Sequence, residues 1–498
     1  MRPLRSIAVL AACLAVVAFA ASGCGNGSSS GGLSDSLSYV PADTPFAVAI
    51  DTDLEDEQWG ALDSILNRFP AADSIKGLLK SQLSMGQEGV DFDKDIKPLL
   101  GNPAVISATD VGSFLSDADQ AGFVAALQVK DKDALDSLIE KTGAKEDGDE
   151  SGATVYRDGD TSFAVKDDVV VLAGSRELLD AALKRADGGA SLSEDDFNKG
   201  LEGLPSDALA RVYVDVQGLL SQSDEARNAR KIAWVGALRK LGLTITATKQ
   251  AVDVDFNLHT DGAALTDDDL PFASGSEPAK VVQRPGEIAV GLRDPNQLVA
   301  FFESALQALD PQSYGNYEQG KRALEAKLNL DVDKDVIGQL TGNVSVSATI
   351  QGKFGARAEV KDPAAFARTV AKAAKALPQF GLGDKVTKRG DLYTLHSDGG
   401  GTTFVFGVVG DAFVVASDAA RARGLAAAQP ESVEGASGSL VIRADAEGIA
   451  RQVLTQIAPQ FGIPDPVIPI FARPFDELRG SIESSTDGMK GKVSLTLD

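Results

Sequence analysis

The feature that most constrains this chain is that its sequence reads twice. Asp91-Phe92-Asp93-Lys94-Asp95-Ile96 returns as Asp331-Val332-Asp333-Lys334-Asp335-Val336. Each copy leads through a short helical turn to Gly101-Asn102 or Gly342-Asn343, and then into a strand, Ala104–Thr109 or Val344–Ile350. Upstream, Thr44–Asp51 and Arg284–Leu292 both read as a strand introduced by Pro and followed by acidic residues and a helix. On the first of those helices Trp59, Leu62, Leu66 and Phe69 share one face; on the second Leu298, Phe301, Phe302, Ala305 and Leu309 repeat the spacing. A further helix is expected near Ala72–Leu83 and again near Tyr317–Leu328.

Downstream the order holds. Val129-Lys130-Asp131 and Val360-Lys361-Asp362 each close a strand and open an amphipathic helix. Tyr156 and Tyr393 precede paired strands, Phe163 through Ser175 and Phe406 through Ser417, with the alternation and polar turns of hairpins. Helices near Ser175–Ala186 and Asp418–Ala428 follow, then strands at Arg211–Asp215 and Leu440–Asp445, then hairpins from Leu243 to Leu258 and from Gly480 to Leu497. The offset between copies stays near roughly 240 residues, which points to one module used twice. Strands arriving in hairpins, with helices interposed, predict an α+β fold: two tandem homologous modules, each a mainly antiparallel sheet covered by helices. The expected division is a signal peptide over 1–23, a Gly/Ser tether over 24–38, modules over 39–259 and 283–498, and a linker over 260–282. Two modules can pack as a pseudo-twofold pair or join their sheets, and the pattern is compatible with both.

The N-terminus carries the clearest address. Arg2 and Arg5 precede an apolar run of roughly 15 residues, too short to span a bilayer and flanked like a secretory signal. It ends at Ala21-Ser22-Gly23-Cys24, which resembles a lipobox, with Ala21 where Leu is usual. The resemblance implies cleavage before Cys24, lipidation of its thiol, and an acyl chain such as palmitate on the new N-terminus; several chains together hold a protein stably on a bilayer. The expected place is therefore the extracytoplasmic face of the cell membrane. Ala18-Phe19-Ala20 offers a competing cleavage site after Ala20 that would release a secreted protein. Cys13 lies in the signal, so one thiol remains and no intrachain disulfide forms.

Composition narrows the function. Two His among 498 residues leave no material for the usual His-rich metal sites. A net charge of −24 argues against nucleic acid as a partner, since its affinity rests on clustered Lys and Arg.

Pro41-Ala42-Asp43-Thr44-Pro45 opening onto a strand, with the blocks around Val129–Asp131 and Val360–Asp362, resembles an uncharacterised bacterial family known as a domain of unknown function, DUF 3352. Its members are typically secreted or membrane-anchored, and the resemblance implies an architecture and a location without an activity.

Each candidate for chemistry has a plainer reading. The two Asp-x-Asp-Lys-Asp segments suggest calcium, yet Ile96 and Asn102, or Val336 and Gly342, stand where a calcium loop needs Gly and Glu. Capping of the following helix by Asp93 or Asp95 is the expectation. Gly27-Ser28-Ser29-Ser30-Gly31 matches a nucleophile elbow in letters alone, since it lies in the tether. His259 and His396 sit at strand ends beside polar turns. Phe301, Phe302, Leu306 and Leu309 suit a lipid-holding cavity, although any helix packed on a sheet needs such a stripe. Arg227, Arg230, Lys231, Arg239 and Lys240 around Trp234 form a basic island on an expected helix over Asp224–Leu241, facing lipid headgroups or neighbouring acids.

No catalytic, cofactor-binding or metal residue is expected, and no cofactor. The expectation is a non-enzymatic cell-envelope lipoprotein with a binding or scaffolding role, partnered by the membrane and by an envelope protein or lipid. The alternative is a lipid or small-molecule carrier with an apolar cavity between or within the modules.

Overall fold

The computed structural model describes residues 32–70, 72–83, 89–109, 122–158, 161–381, 383, 385–396, 404–457 and 465–498. The signal, Cys24 and the Gly/Ser segment through residue 31 lie outside the described residues. The chain forms two compact units, one of the residues up to Arg227 with Leu238–His259, the other of Asn228–Ala237 with Thr260–Asp498.

The first unit builds its sheet from β1 (Phe46–Ile50), β2 (Ala104–Ala108), β3 (Phe123–Gln128), β4 (Lys145–Glu150), β5 (Ala153–Asp158), β6 (Thr161–Lys166), β7 (Val169–Ala173), β8 (Ala210–Asp215), β9 (Leu238–Thr248) and β10 (Ala251–Thr260). In space these run β4-β5-β6-β7-β3-β2-β1-β8-β9-β10, every registered pair antiparallel. The second unit holds β12 (Ile288–Arg293), β13 (Asn343–Ala348), β14 (Phe354–Glu359), β15 (Lys385–Arg389), β16 (Leu392–His396), β17 (Phe404–Val409), β18 (Ala412–Ala416), β20 (Leu440–Asp445), β21 (Phe475–Ser485) and β22 (Gly488–Leu497), with short β11 (Lys280–Val281) pairing β19 (Glu431–Ser432) apart from them. Their order is β15-β16-β17-β18-β14-β13-β12-β20-β21-β22, again antiparallel and the same as in the first unit. The protein is α+β.

Local chemistry repeats with the topology. The Asp91 carboxylate accepts the Lys94 N–H at 3.0 Å while Asp95 reaches back to the Asp91 N–H at 2.6 Å. Asp331 accepts the Lys334 N–H at 2.9 Å and Asp335 the Asp331 N–H at 3.0 Å. The cap is thus Asp91 or Asp331, two residues before Asp93 or Asp333, with Asp95 or Asp335 closing the reciprocal half. Asp131 and Asp362 cap the helices Lys132–Thr142 and Pro363–Ala376 through the N–H groups of Ala134 and Ala365. Tyr156 stacks on Phe163 across β5–β6 with ring centroids 5.2 Å apart, and Tyr393 stacks on Phe406 across β16–β17 at 5.6 Å.

Two expectations are corrected. The basic island is not one helix: Asp224–Ala229 and Ala233–Ala237 are short helices, and β9 begins at Leu238, pairing Lys240 with Asp215 of β8. Ladder hydrogen bonds with β8 override helical propensity there. The helix Glu57–Leu66 turns Trp59, Ala61, Leu62 and Ile65 inward, whereas Leu66 and Phe69 are half-buried, because the helix ends before Phe69. Within the 260–282 stretch Leu270, Ala279, Val281 and Val282 are buried, while residues 266–268 and 275–277 are exposed.

Candidate functional site

The two units differ in how they close one face of the sheet. Facing residues follow from the register: Val48 of β1 opposes Ile106 of β2, and Val290 of β12 opposes Val346 of β13. Ile106 and Val346 therefore hold the same place in the same topology. Ile106 is 2% exposed and Val346 45%. In the first unit that face is sealed by the helix after β1, whose fully buried Trp59 donates Nε1–H to the Asp51 carbonyl at 3.2 Å and packs with Leu62, Phe92 and Leu127. In the second unit the corresponding helix, Pro295–Leu309, buries none of its residues, and neither does the helix Pro311–Leu328 that follows.

The reason starts at the end of β12. Asp294 turns the chain through the left-handed region, φ 50°, so that Pro295 begins the helix at once, without the Asp51–Asp56 stretch that positions Trp59 in the first unit. The Asp294 N–H donates to the Gly342 carbonyl at 3.0 Å, and Gln297 Nε2 donates to the carbonyls of Asp267 and Leu270 at 2.8 and 2.7 Å. These contacts hold the helix by its first turn. Its partner helix is tied on by polar groups: the Tyr317 hydroxyl donates to Glu303 at 2.7 Å, and Lys321 meets Glu303 at 3.4 Å and Asp333 at 2.6 Å. The Glu303 hydrogen bond, with burial, pushes the Tyr317 phenol up to about 12. Although burial opposes it, the Asp333 hydrogen bond and the Glu303 charge hold the Lys321 ammonium above the usual lysine range. Asp310 caps the second helix, its carboxyl held low by the Ser313 hydroxyl.

What remains is an apolar surface that stays exposed among the described residues. Leu298, Phe302 and Leu309, one and then two turns apart on the helix, share one side of it and are exposed, Phe302 by 58%. On the sheet, Ile288 and Val346 are exposed on the face they share with Val290 and, through β20, Ile442. Val453 on the helix Ala446–Ile457 and Ile470 on Ile468–Ala472 are exposed as well. Every exposed large apolar side chain among the described residues belongs to the second unit. Such a concentration makes the second unit the candidate for a contact surface, since exposed apolar side chains clustered in one part of a protein are uncommon without a partner. Covering five such side chains, each already partly buried, is worth on the order of 1 kcal/mol apiece.

Other candidates offer less. An open cleft of about 560 Å³ in the first unit is lined by Asp53, Asp93, Asp131, Lys97, Lys130 and Lys132 among others, a mixture of signs that converges on no single ligand. A second, of about 660 Å³ in the second unit, mixes Arg443 and Arg479 with Glu477, and both arginines pair with that glutamate. Glu325, Asp331 and Asp333 bring carboxylate oxygens within 4.8 Å of one another. Those carboxylates already serve the fold, accepting from Val332 N–H, Lys334 N–H and Lys321 respectively. His396 ends β16 with Nε2 2.9 Å from the Thr387 hydroxyl, and His259 lies on β10 of the first unit. Cys24 and Gly27–Gly31 fall outside the described residues.

Sequence reading missed a buried ion pair: Arg421 Nη1 donates to Glu287 at 2.7 Å, and its Nη2 donates to the Ser347 hydroxyl at 2.9 Å. The partners are 134 positions apart, and no local pattern announces them. Burial also pushes the Asp51 carboxyl up to about 7; the Asp53 N–H opposes this, and the negative charge of Asp56, Asp53 and Asp207 adds to it.

Fold and site together define an α+β protein with one sealed unit and one that presents an open apolar face. The chain matches the family described as "Protein of unknown function (DUF3352)" over residues 4–375, and it belongs to that family. No curated protein matches it. Among solved structures it is similar to TP0453 in crystal form III, at 12% identity over 46% of this chain and 82% of that one with a TM-score of 0.27, and in crystal form I, at 13% identity over 46% and 80% with a TM-score of 0.26. Among the described residues no helix is long and apolar enough to cross a membrane.

Proposed function

We propose that this protein is a non-enzymatic cell-envelope lipoprotein, held at the extracytoplasmic face of the membrane through acylated Cys24, that binds an apolar occupant on its second unit. One observation carries the reading: Val346 is open where its counterpart Ile106 is sealed, although both sit at the same register position of the same strand order. In this reading the first unit is the closed scaffold and the second the binding unit. The matched order, caps and ring pairs support descent of both units from one duplicated module.

Two measurements test it. A photo-reactive residue at position 302, in the cell, is expected to form adducts that the same residue at exposed Lys145 does not form; equal labelling from both sites would remove the open face as a binding site. The mass of the N-terminal peptide is expected to show Cys24 carrying lipid, and an unmodified peptide beginning at Ala21 would replace the anchored form by a secreted one.

A further inference from the structure

We infer that the second unit carries a further contact for the membrane: an exposed cationic surface, on the helix Pro363–Ala376 and edge strand β15, that docks on anionic lipid head groups. It rests on the membrane location proposed above and is independent of what the open apolar face binds.

The observation is a reversal of charge between equivalent places. In the first unit the helix capped by Asp131, Lys132–Thr142, sets Lys132 and Lys141 against Asp133, Asp136 and Glu140; edge strand β4 sets Lys145 against Glu146, Asp147, Asp149 and Glu150. In the second unit the helix capped by Asp362 carries Arg368, Lys372 and Lys375 with no acid, and edge strand β15 carries Lys385, Lys388 and Arg389 with none. Elsewhere the chain is acidic, with 72 Asp and Glu against 48 Lys and Arg. An unbalanced helix face is also unfavourable by itself, since Arg368, Lys372 and Lys375 stand four and three residues apart, where like charges repel.

The fold gathers these cations into one surface. Phe366, Val370 and Ala374 bury the sheet side of the helix in one cluster with Val386 of β15 and Tyr393 of β16. Arg368, Lys372 and Lys375 therefore take the opposite side and are exposed. Lys388, two residues from Val386, shares its side of β15 and places Nζ 5.1 Å from the centre of the Tyr393 ring, while Lys385 and Arg389 alternate to the other side. Between helix and strand Phe380 is 41% exposed, with Lys327 Nζ 4.0 Å from its ring centre. Lys372 Nζ donates to the Asn329 carbonyl at 2.7 Å, and among the described residues none of Arg368, Lys372, Lys375 and Lys388 pairs with a carboxylate. Of the bordering acids, Asp362 is committed to the cap, Asp391 lies in the β15–β16 turn, and Asp384 falls outside the described residues.

An acidic protein segment would also answer the charge. The exposed ring among the cations favours a bilayer, whose interface takes ammonium and guanidinium groups at the head groups and an aromatic side chain at the hydrocarbon boundary. The tethered N-terminus keeps such a surface close, so a contact of modest affinity is occupied.

The test uses the chain from residue 24 onward with Cys24→Ser, so that neither signal nor acyl chain contributes, and co-sedimentation with vesicles. Binding is expected with dioleoylphosphatidylcholine vesicles containing about one third dioleoylphosphatidylglycerol, and at least about tenfold weaker binding with phosphatidylcholine alone or when salt is raised tenfold. Each cation at an anionic surface strengthens binding about fivefold, so Arg368→Gln/Lys372→Gln/Lys375→Gln/Lys388→Gln is expected to bind at least about tenfold more weakly with its unfolding midpoint kept. Removing four exposed cations of the first unit, Lys94→Gln/Lys130→Gln/Lys132→Gln/Lys145→Gln, is expected to change vesicle binding far less. Emission from Phe380→Trp is expected to move to shorter wavelength with the anionic vesicles only. Equal loss in both quadruple variants would overturn the assigned surface, as would vesicle binding without an emission shift. Capture of poly-glutamate without vesicle binding would overturn the lipid in favour of an acidic protein. Absent vesicle binding from a protein whose Cys24 is acylated in the cell would overturn this contact and leave the anchor; vesicle binding by a protein with unmodified Cys24 would keep the contact and remove the anchor.

Discussion

Truncating the two equivalent side chains, Ile106→Ala and Val346→Ala, measures directly whether the second unit is open in solution. Ile106 is 2% exposed and contributes to the core around Trp59. Its truncation removes three carbons and leaves a cavity, at about 1 kcal/mol per carbon, so the first unit should lose about 3 kcal/mol. Val346 is 45% exposed. Two carbons at about 0.8 kcal/mol each, roughly half of that already forfeited to solvent and no cavity formed, give a loss below about 1 kcal/mol. The chain's two Trp residues separate the readings, since Trp59 lies in the first unit and Trp234 in the second. Urea unfolding followed by fluorescence, with Phe replacing one Trp at a time, reports each unit. A loss of 2 kcal/mol or more for Val346→Ala would mean that the face is closed, and the proposed function would fall with it.

Three further outcomes are expected. Asp51→Asn should stabilise the first unit at pH 8 and leave it unchanged near pH 4: a carboxyl whose folded value of about 7 exceeds the ordinary 3.8 makes stability fall as pH rises through that window. The full gap corresponds to roughly 4 kcal/mol, and partial exposure screens it to about 2, measurable from urea midpoints against pH; a pH-independent difference would contradict it. Glu287→Gln should cost the second unit about 3–5 kcal/mol by leaving Arg421 buried without its charge partner, whereas Glu287→Leu with Arg421→Met should cost little, and equal losses would refute the desolvation account. Tyr317→Phe should lower the second unit's stability by about 1 kcal/mol through loss of the bond to Glu303, and should remove one of the phenols that ionise above the ordinary tyrosine range in an ultraviolet titration.

The elements read most securely from sequence are those set by neighbours a few positions apart. Asp131 and Asp362 cap by bonding N–H groups three residues on, and the hairpin alternation of Phe163–Ser175 and Phe406–Ser417 is visible at period two. Strands β4 and β15 were not legible. Lys145–Glu150 is wholly polar apart from its Gly, and Lys385–Arg389 has one apolar residue; each is an edge strand held by backbone bonds to a single neighbour, and charge there also discourages further pairing. The Asp224–Leu241 helix failed for the converse reason, since its local propensity lost to the β8–β9 ladder.

The open face divides the two sources of information most sharply. The sequence by itself determined that Glu57–Leu66 and Pro295–Leu309 are helices with apolar stripes, because a stripe follows from residue spacing and the 3.6-residue turn. It also determined that the order of elements along the chain repeats, since each landmark depends on a short stretch of residues. Only the tertiary structure decided that one stripe is covered and the other is not. Cover depends on how the chain leaves the preceding strand, through the Asp51–Asp56 stretch that seats Trp59 or through left-handed Asp294 straight into Pro295, and on which distant strands then meet the helix. Periodicity records that a surface is apolar; the packing of segments far apart in the chain decides whether that surface becomes core or remains available to a ligand.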